Sequence, residues 1–336
     1  MRNKSTAKAL ALPFIIIIAA GVGGFLLSSQ QNKNAVRRYE TAASSAISIE
    51  AESELYTRDS FDGSVSYNGK KYEKNTAIDT VLFLGIDTSD LSRDGVGIDE
   101  GGRSDTIILF AIDNENETIT PLEINRDTIV DVDVYDNDGN YLTQGPRQIT
   151  MQYAYGNTPR KASNLTKEKI SDLLCRTRID GVISLTMDGI EPIVDSIGGV
   201  TLTLMTDETD LDPSYVQGAV IHLDGAAARD FVHNRDTAIR GSNIERMSRQ
   251  TQFMLALFQN LKGQGSDIVD TMEKAAGDYL YEDVDADSMA NFVKYDYAGD
   301  ILVLPGENRT EGVHDEFYVD ENKLTEMVLK LFYKEI

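Results

Sequence analysis

The chain has 336 residues, of which 41% are hydrophobic and 26% charged, with a formal net charge of −23. That balance is globular rather than disordered, and its acidity argues against nucleic-acid binding, which demands a basic surface. Three histidines make a multi-histidine metal site a poor expectation, and the lone cysteine, Cys175, precludes an intrachain disulfide.

Leu10 to Leu27 is eighteen residues without a charge, the lower limit for a membrane-spanning helix, with Arg2, Lys4 and Lys8 ahead of it. A cleaved signal peptide is the competing reading, but no small-x-small cleavage site follows, which favours an uncleaved transmembrane anchor after a cytoplasmic N-terminus, residues 1–9. Lys33, Arg37 and Arg38 nearly balance the positive charges before the span, so local charge leaves its orientation open. Residues 28–77 read as a stalk or connector. Within it, Ser64–Lys74 alternates around Asn68-Gly69, a two-residue hairpin signal.

The main domain is expected over residues 78–336. Thr80–Ile86 and Thr106–Ile112 are apolar runs that read as buried strands, followed by a strand over Thr118–Ile124. Asp131–Thr143 reads as turn-rich, Ile149–Tyr155 as helical, and Leu165–Arg176 as a helix that includes Cys175. A strand Gly181–Thr186 and a helix Asp188–Ile197 stopped by Gly198-Gly199 come next, then a strand Val200–Leu204 and a helix Gly225–His233. A long helix is expected over Asn243–Leu261, then helices Asp267–Ala276 and Asp287–Lys294, a strand Asp300–Leu304 and a helix Glu321–Tyr333. This order predicts an α/β fold, a three-layer α/β/α domain with a central mixed β-sheet.

Candidate chemistry gathers at strand ends and in one helical stretch. Asp87 follows the first strand, Arg103-Ser104-Asp105 precedes the second, and Arg126-Asp127 follows the third. Ligand sites of α/β sheets collect at such positions. On adjacent strands, Asp87 and Asp105 can share a hard divalent ion completed by water and phosphate oxygens. The segment His222–Leu261 carries Arg229, Arg235, Arg240, Arg246 and Arg249 in an otherwise acidic chain. Arg246 and Arg249 fall in the first turns of the long helix, where the dipole favours anions, and arginine grips phosphate in a bidentate fork. Arg246, Gln250, Phe253 and Leu257 recur on one helical face. Phe253, Met254, Leu257, Phe258, Ile190, Ile193 and Val194 suit either an apolar channel or ordinary core, with core the default.

The ordered motifs LFLGID, GRSDTIILFAID, PLEINRDT, QYAYG, GVISLTMDGIEPIVDSIGGVTL, HLDGAAARDFVHNRD and IERMSRQ resemble the LytR-CpsA-Psr family, from about Ile78 to the C-terminus. The resemblance implies a single-pass protein of the bacterial cell membrane with an extracytoplasmic domain. Its partners would be membrane lipid, a polyprenyl pyrophosphate-linked glycopolymer and peptidoglycan, and no nucleic acid. Such an enzyme moves the glycopolymer onto peptidoglycan or a related envelope acceptor, with pyrophosphate hydrolysis as a side activity. By motif match Asp87 and Asp105 would hold Mg²⁺, with Mn²⁺ as the alternative ion. Arg103, Arg126, Arg235, Arg246 and Gln250 would surround the diphosphate, with Arg240 and Arg249 as weaker members. Asp127 would orient Arg126 or take a proton. The chain departs from the family pattern at His233, where an arginine is usual, at Asn125 for proline, and at Gln148 and Thr150 for lysine and asparagine. His233 is retained among the substrate-binding candidates. A non-catalytic lipid-pyrophosphate binder and a membrane-bound transcriptional regulator are the competing readings.

Overall fold

The computed structural model describes residues 57–58, 64–92, 95–97, 101–234, 242–262, 264–265, 267–298, 301–309 and 315–336. The expected anchor, Leu10 to Leu27, and most of the connector lie outside them. The described residues begin with β1 (Thr57–Arg58), β2 (Val65–Tyr67), β3 (Lys70–Lys74), β4 (Ile78–Ile86), β5 (Ser104–Asp113), β6 (Thr118–Glu123), β7 (Ile129–Tyr135) and β8 (Tyr141–Gln148). A 3-10 segment (Ile149–Tyr155), α1 (Pro159–Leu173), β9 (Gly181–Thr186), a 3-10 turn (Met187–Gly189), α2 (Ile190–Ser196), β10 (Val200–Thr203) and β11 (Val220–Leu223) follow. Then come α3 (Gly225–His233), α4 (Ser242–Leu261), α5 (Asp267–Ala276), β12 (Leu280–Asp283) and α6 (Ala286–Lys294). The described chain closes with β13 (Asp296–Tyr297), β14 (Leu302–Val303), β15 (Gly306–Arg309), β16 (Glu316–Val319), α7 (Glu321–Phe332) and β17 (Tyr333–Glu335).

The central sheet runs β12-β9-β4-β5-β6-β13, with β14 also beside β6. It is mixed: β4 is parallel to β9 and β6 to β13 and β14, whereas β4–β5, β5–β6 and β9–β12 are antiparallel. β5 is buried along nearly its whole length because both faces are covered, which is why its sequence is an unbroken apolar run. One face sets Leu82, Leu84, Ile107 and Leu109 against Ile170 of α1 and Val328 and Phe332 of α7. The other sets Val81, Ile108 and Phe110 against Phe258 of α4 and Phe292 of α6. Phe110 meets both of those rings edge-on at 5.5 and 5.1 Å, a favoured aromatic geometry.

Some local expectations shift. The helix placed at Leu165–Arg176 runs from Pro159, with Thr158 as N-cap and proline in its first turn, and ends at Leu173. Cys175 and Arg176 lie beyond it with positive φ values of 56° and 61°, a left-handed exit that terminates the helix. Cys175 packs half-buried on the main core. Asp131–Thr143 is mostly hairpin, β7 pairing with β8 from Ile129↔Gln148 to Tyr135↔Tyr141. The expected hairpin around Asn68-Gly69 forms, with both residues at positive φ, and β3 pairs with the C-terminal β17. Val65 and Tyr67 pack against Leu329 of α7, so this hairpin is joined to the rest of the domain.

Candidate active site

Antiparallel pairing brings the end of β4, the start of β5 and the end of β6 to one edge of the sheet. Ile86 stands opposite Ser104 after a bulge, and the Asp87 amide donates to the Arg103 carbonyl at 2.9 Å. Asp87 and Asp105 therefore flank one corner. β6 delivers Arg126 and Asp127 to the same corner through a turn in which Asn125 Oδ1 accepts the Asp127 amide at 2.9 Å. Asparagine closes this turn with its own side chain, a local substitute for the expected proline.

The centre is Asp105, 3% exposed. Its Oδ2 is ion-paired with Arg126 Nη1 and with Arg246 Nη2, the latter at 3.2 Å, and its Oδ1 accepts the Thr150 hydroxyl at 3.3 Å. Arg126 Nε also lies 3.5 Å from Asp127 Oδ1, and that oxygen accepts the Gln148 amide at 2.8 Å. Arg103 reaches Asp87 at 3.4 Å in a more exposed pair. Gln148 and Thr150, two departures from the family pattern, thus hold the two central aspartates with neutral donors. Burying such charges is costly unless they are paired and hydrogen-bonded; Asp105 and Asp127 are both, whereas Arg126 Nε and Nη1 are ion-paired without hydrogen-bond geometry.

The remaining candidates separate. Gln250 is buried one turn along α4 from Arg246, its Nε2 donating to Val232 O at 3.1 Å and its Oε1 without a hydrogen-bond donor among the described residues. Arg249 is turned to the end of α3 and to Glu208, a partner that sequence reasoning missed. His233 is the last residue of α3 and exposed, its Nδ1 3.4 Å from Asn234 Oδ1. Arg229 pairs with Asp188 at 2.7 Å. Arg235 and Arg240 lie outside the described residues.

An apolar cavity opens beside this centre, with about 1200 Å³ of empty space, its mouth included. Phe253, Met254, Leu257, Phe258, Ile190, Ile193 and Val194, ambiguous in sequence between channel and core, all line it. Gln250 and Thr106 line it too, and Thr106 directly follows Asp105 in β5. The face of α4 that carries Arg246 and Gln250 continues as Phe253 and Leu257 along the wall, so one helical stripe passes from guanidinium to hydrocarbon. Glu273 and Glu282 also border the cavity, and burial raises the pKa of both.

As for a metal, no three His, Cys, Asp or Glu side chains gather into a metal-binding group among the described residues. Two carboxylates at one corner, Asp87 and Asp105, still suit a hard cation whose other ligands are water and phosphate oxygens. Charge points the same way. Arg103, Arg126 and Arg246 are matched by Asp87, Asp105 and Asp127, so a diphosphate entering this corner brings negative charge that these arginines do not offset.

The match to a family model settles the lineage, since residues 34–332 fit the LytR_cpsA_psr family. The chain belongs to that family. A polyisoprenyl-teichoic acid–peptidoglycan teichoic acid transferase, TagU of Bacillus cereus, is 27% identical over 246 residues, covering 71% of this chain and 72% of that protein. The crystal structure of Bacillus subtilis TagV superposes with a TM-score of 0.57 at 21% identity, covering 76% of this chain and 97% of that one. A structure of TagT bound to LI-WTA matches with the same TM-score and identity, over 76% and 90% of the two chains. These solved structures establish the shared mixed α/β fold.

Proposed function

We propose that this protein is a membrane-anchored transferase that moves a glycopolymer from a polyprenyl pyrophosphate carrier onto peptidoglycan or a related envelope acceptor. The observation that carries the reading is the junction of an apolar cavity with the buried Asp105–Arg126–Arg246 cluster. A polyprenyl diphosphate is an amphiphile with that same division: a long hydrocarbon chain and an anionic head. The family membership and the named activity of TagU support the polymer and the acceptor.

In this reaction an acceptor hydroxyl attacks the phosphorus that bears the sugar. The bond from that phosphorus to the bridging oxygen breaks, and polyprenyl phosphate departs. Arg126 and Arg246 hold the diphosphate and counter charge on the leaving phosphate, and Gln250 Oε1 stands at the cavity mouth as a hydrogen-bond acceptor. Asp127 is the carboxylate placed to take the acceptor's proton or to orient Arg126. Asp87 and Asp105 are the residues that would hold Mg²⁺, with Mn²⁺ as the alternative, and the ion supplies charge neutralisation when bound. Water in the acceptor's place gives pyrophosphate hydrolysis as a side reaction. The anchor is assigned to Leu10–Leu27, and the family membership supports a domain outside the cytoplasmic membrane of a bacterium. None of the described helices is long and apolar enough to cross a membrane.

The test is turnover of a polyprenyl diphosphate-linked oligosaccharide with a peptidoglycan acceptor and Mg²⁺. The wild type should release polyprenyl phosphate, and Arg126→Ala and Arg246→Ala should each weaken donor affinity about ten-fold or more, the worth of a charge-assisted hydrogen bond. Tight binding without turnover would leave a non-catalytic binding protein instead.

A further inference from the structure

The guanidinium of Arg249 faces away from the arginine cluster around Asp105. It is 2% exposed, and each of its nitrogens has a partner. Nε donates to Phe231 O at 3.0 Å, Nη1 to Glu208 Oε2 at 3.0 Å, and Nη2 to Asn234 O. Gln250, the next residue, donates to Val232 O at 3.1 Å. One turn of α4 therefore supplies donors to the last carbonyls of α3, which a helix cannot satisfy by itself. Glu208 is itself fixed: its Oε1 accepts the Thr206 hydroxyl at 2.7 Å, and its amide donates to Tyr215 O at 2.8 Å. Three residues before Arg249, Arg246 reaches Asp105.

From this arrangement we infer that Arg249, held by Glu208, is a positioning residue for the diphosphate site and not one of its phosphate ligands. The inference rests on the reading of that site given above. Arg249 ties the end of α3 to the first turns of α4, and this sets the rotation of α4 that aims Arg246 at Asp105 and leaves Gln250 on the cavity wall. It also covers carbonyls at the negative pole of α3, next to the place where an anion is to be held. Sequence position alone groups Arg249 with Arg246, because both sit at the start of one helix. The contacts divide them, with Arg246 on the site and Arg249 on the scaffold behind it.

The experiment uses the full chain in detergent, with geranylgeranyl diphosphate and Mg²⁺ as the probe, measured by calorimetry. The variants are Arg249→Lys, Glu208→Gln, the double variant, and Arg246→Ala as a site control. Lysine lacks the planar fork that serves three acceptors at once. Arg249→Lys and Glu208→Gln should each weaken the probe by about ten-fold, and the double variant should be no worse than the weaker-binding single, because both break one clamp. Hydrogen exchange at the Asn234 amide, which donates to Asp230 O, should quicken in both single variants. A direct phosphate contact is revealed if Arg249→Lys weakens binding while Glu208→Gln leaves it unchanged or tightens it, and that result overturns the inference. So does unaltered affinity in both with only a lowered Tm, which marks a plain fold staple. Should Arg246→Ala also bind like wild type, the diphosphate reading of the centre fails as well. Should Arg246→Ala alone bind weakly, the centre stands and the clamp falls. If Arg249→Lys does not fold, Glu208→Gln with its exchange rate decides the matter.

Discussion

Glu123 ends β6 beneath α4, where its carboxyl is 4% exposed as a residue and has one side-chain donor among the described residues, the Thr251 hydroxyl at 2.9 Å. Burial pushes its pKa from 4.5 up to about 8, against a smaller downward pull from that hydrogen bond. Below pH 4.5 the carboxyl is protonated whether the chain is folded or not, and the full stability is present. Between 4.5 and 8 the unfolded chain ionises Glu123 and the folded chain does not, so stability falls by roughly 1.4 kcal/mol per pH unit. Above pH 8 both states are ionised and the loss levels off at about 5 kcal/mol, a large part of a domain's stability. Glu123→Gln keeps the shape and an acceptor for Thr251 but cannot ionise. Its urea-unfolding free energy should lose the Glu123 part of the decline from pH 5 to 8.5, ending roughly 3–5 kcal/mol above wild type at the alkaline end once both are referenced to pH 5. Thr251 adjoins Gln250, so donor affinity at pH 9 should also survive better in the variant. Parallel stability curves for the two proteins across this range would refute the argument.

Three further outcomes follow from the site. Met254 and Leu257 wall the cavity, so Leu257→Trp should fill it and lower affinity for long-chain polyprenyl diphosphates by ten-fold or more, leaving inorganic pyrophosphate binding unaltered; equal losses for both ligands in calorimetry would show that the cavity does not hold the chain. Asp105→Asn should abolish turnover, and Asp87→Asn should raise the Mg²⁺ concentration needed for half-maximal activity; an identical metal dependence in Asp87→Asn and wild type would remove that corner as the ion's site.

Much of the scaffold is written locally. Gly225–His233 and Asp267–Ala276 form helices at the residues expected, because Asp224 caps the first and apolar periodicity marks both. β4 and β5 follow their apolar runs and extend beyond them by two residues or so, Ile78–Ile86 and Ser104–Asp113. β7 and β8 escaped notice because aspartates at 131, 133 and 136 interrupt the apolar alternation. Asp87, Asp105 and Arg126 could be singled out because strand ends are where α/β sheets keep ligands. What stayed hidden is any contact that depends on distant chain. The partners of Arg249 lie 15 to 41 residues away, and nothing in a run of five arginines says which one turns from the site to cap a neighbouring helix. The cavity was hidden for another reason. Core and channel both require apolar residues at helical spacing, so Phe253 and Leu257 have the same pattern whether they meet another side chain or a lipid.

The charge of the molecule sharpens what the site must do. A chain of net charge −23 repels an anionic donor at long range, so electrostatic steering by the whole surface works against capture. Attraction has to be local and shielded from solvent, and the buried guanidinium groups of Arg126 and Arg246 are of that kind, at 8% and 5% side-chain exposure. They stand against Asp105, which keeps them aimed but also cancels part of their field. The corner therefore starts close to neutral. On the proposed reading, affinity for the donor comes from two short-range sources: hydrocarbon buried in the cavity along α4, and arginines that exchange part of their hold on Asp105 for phosphate. On the proposed reading that exchange would free Asp105 to hold a cation with Asp87, and the ion would supply charge neutralisation beside the arginines.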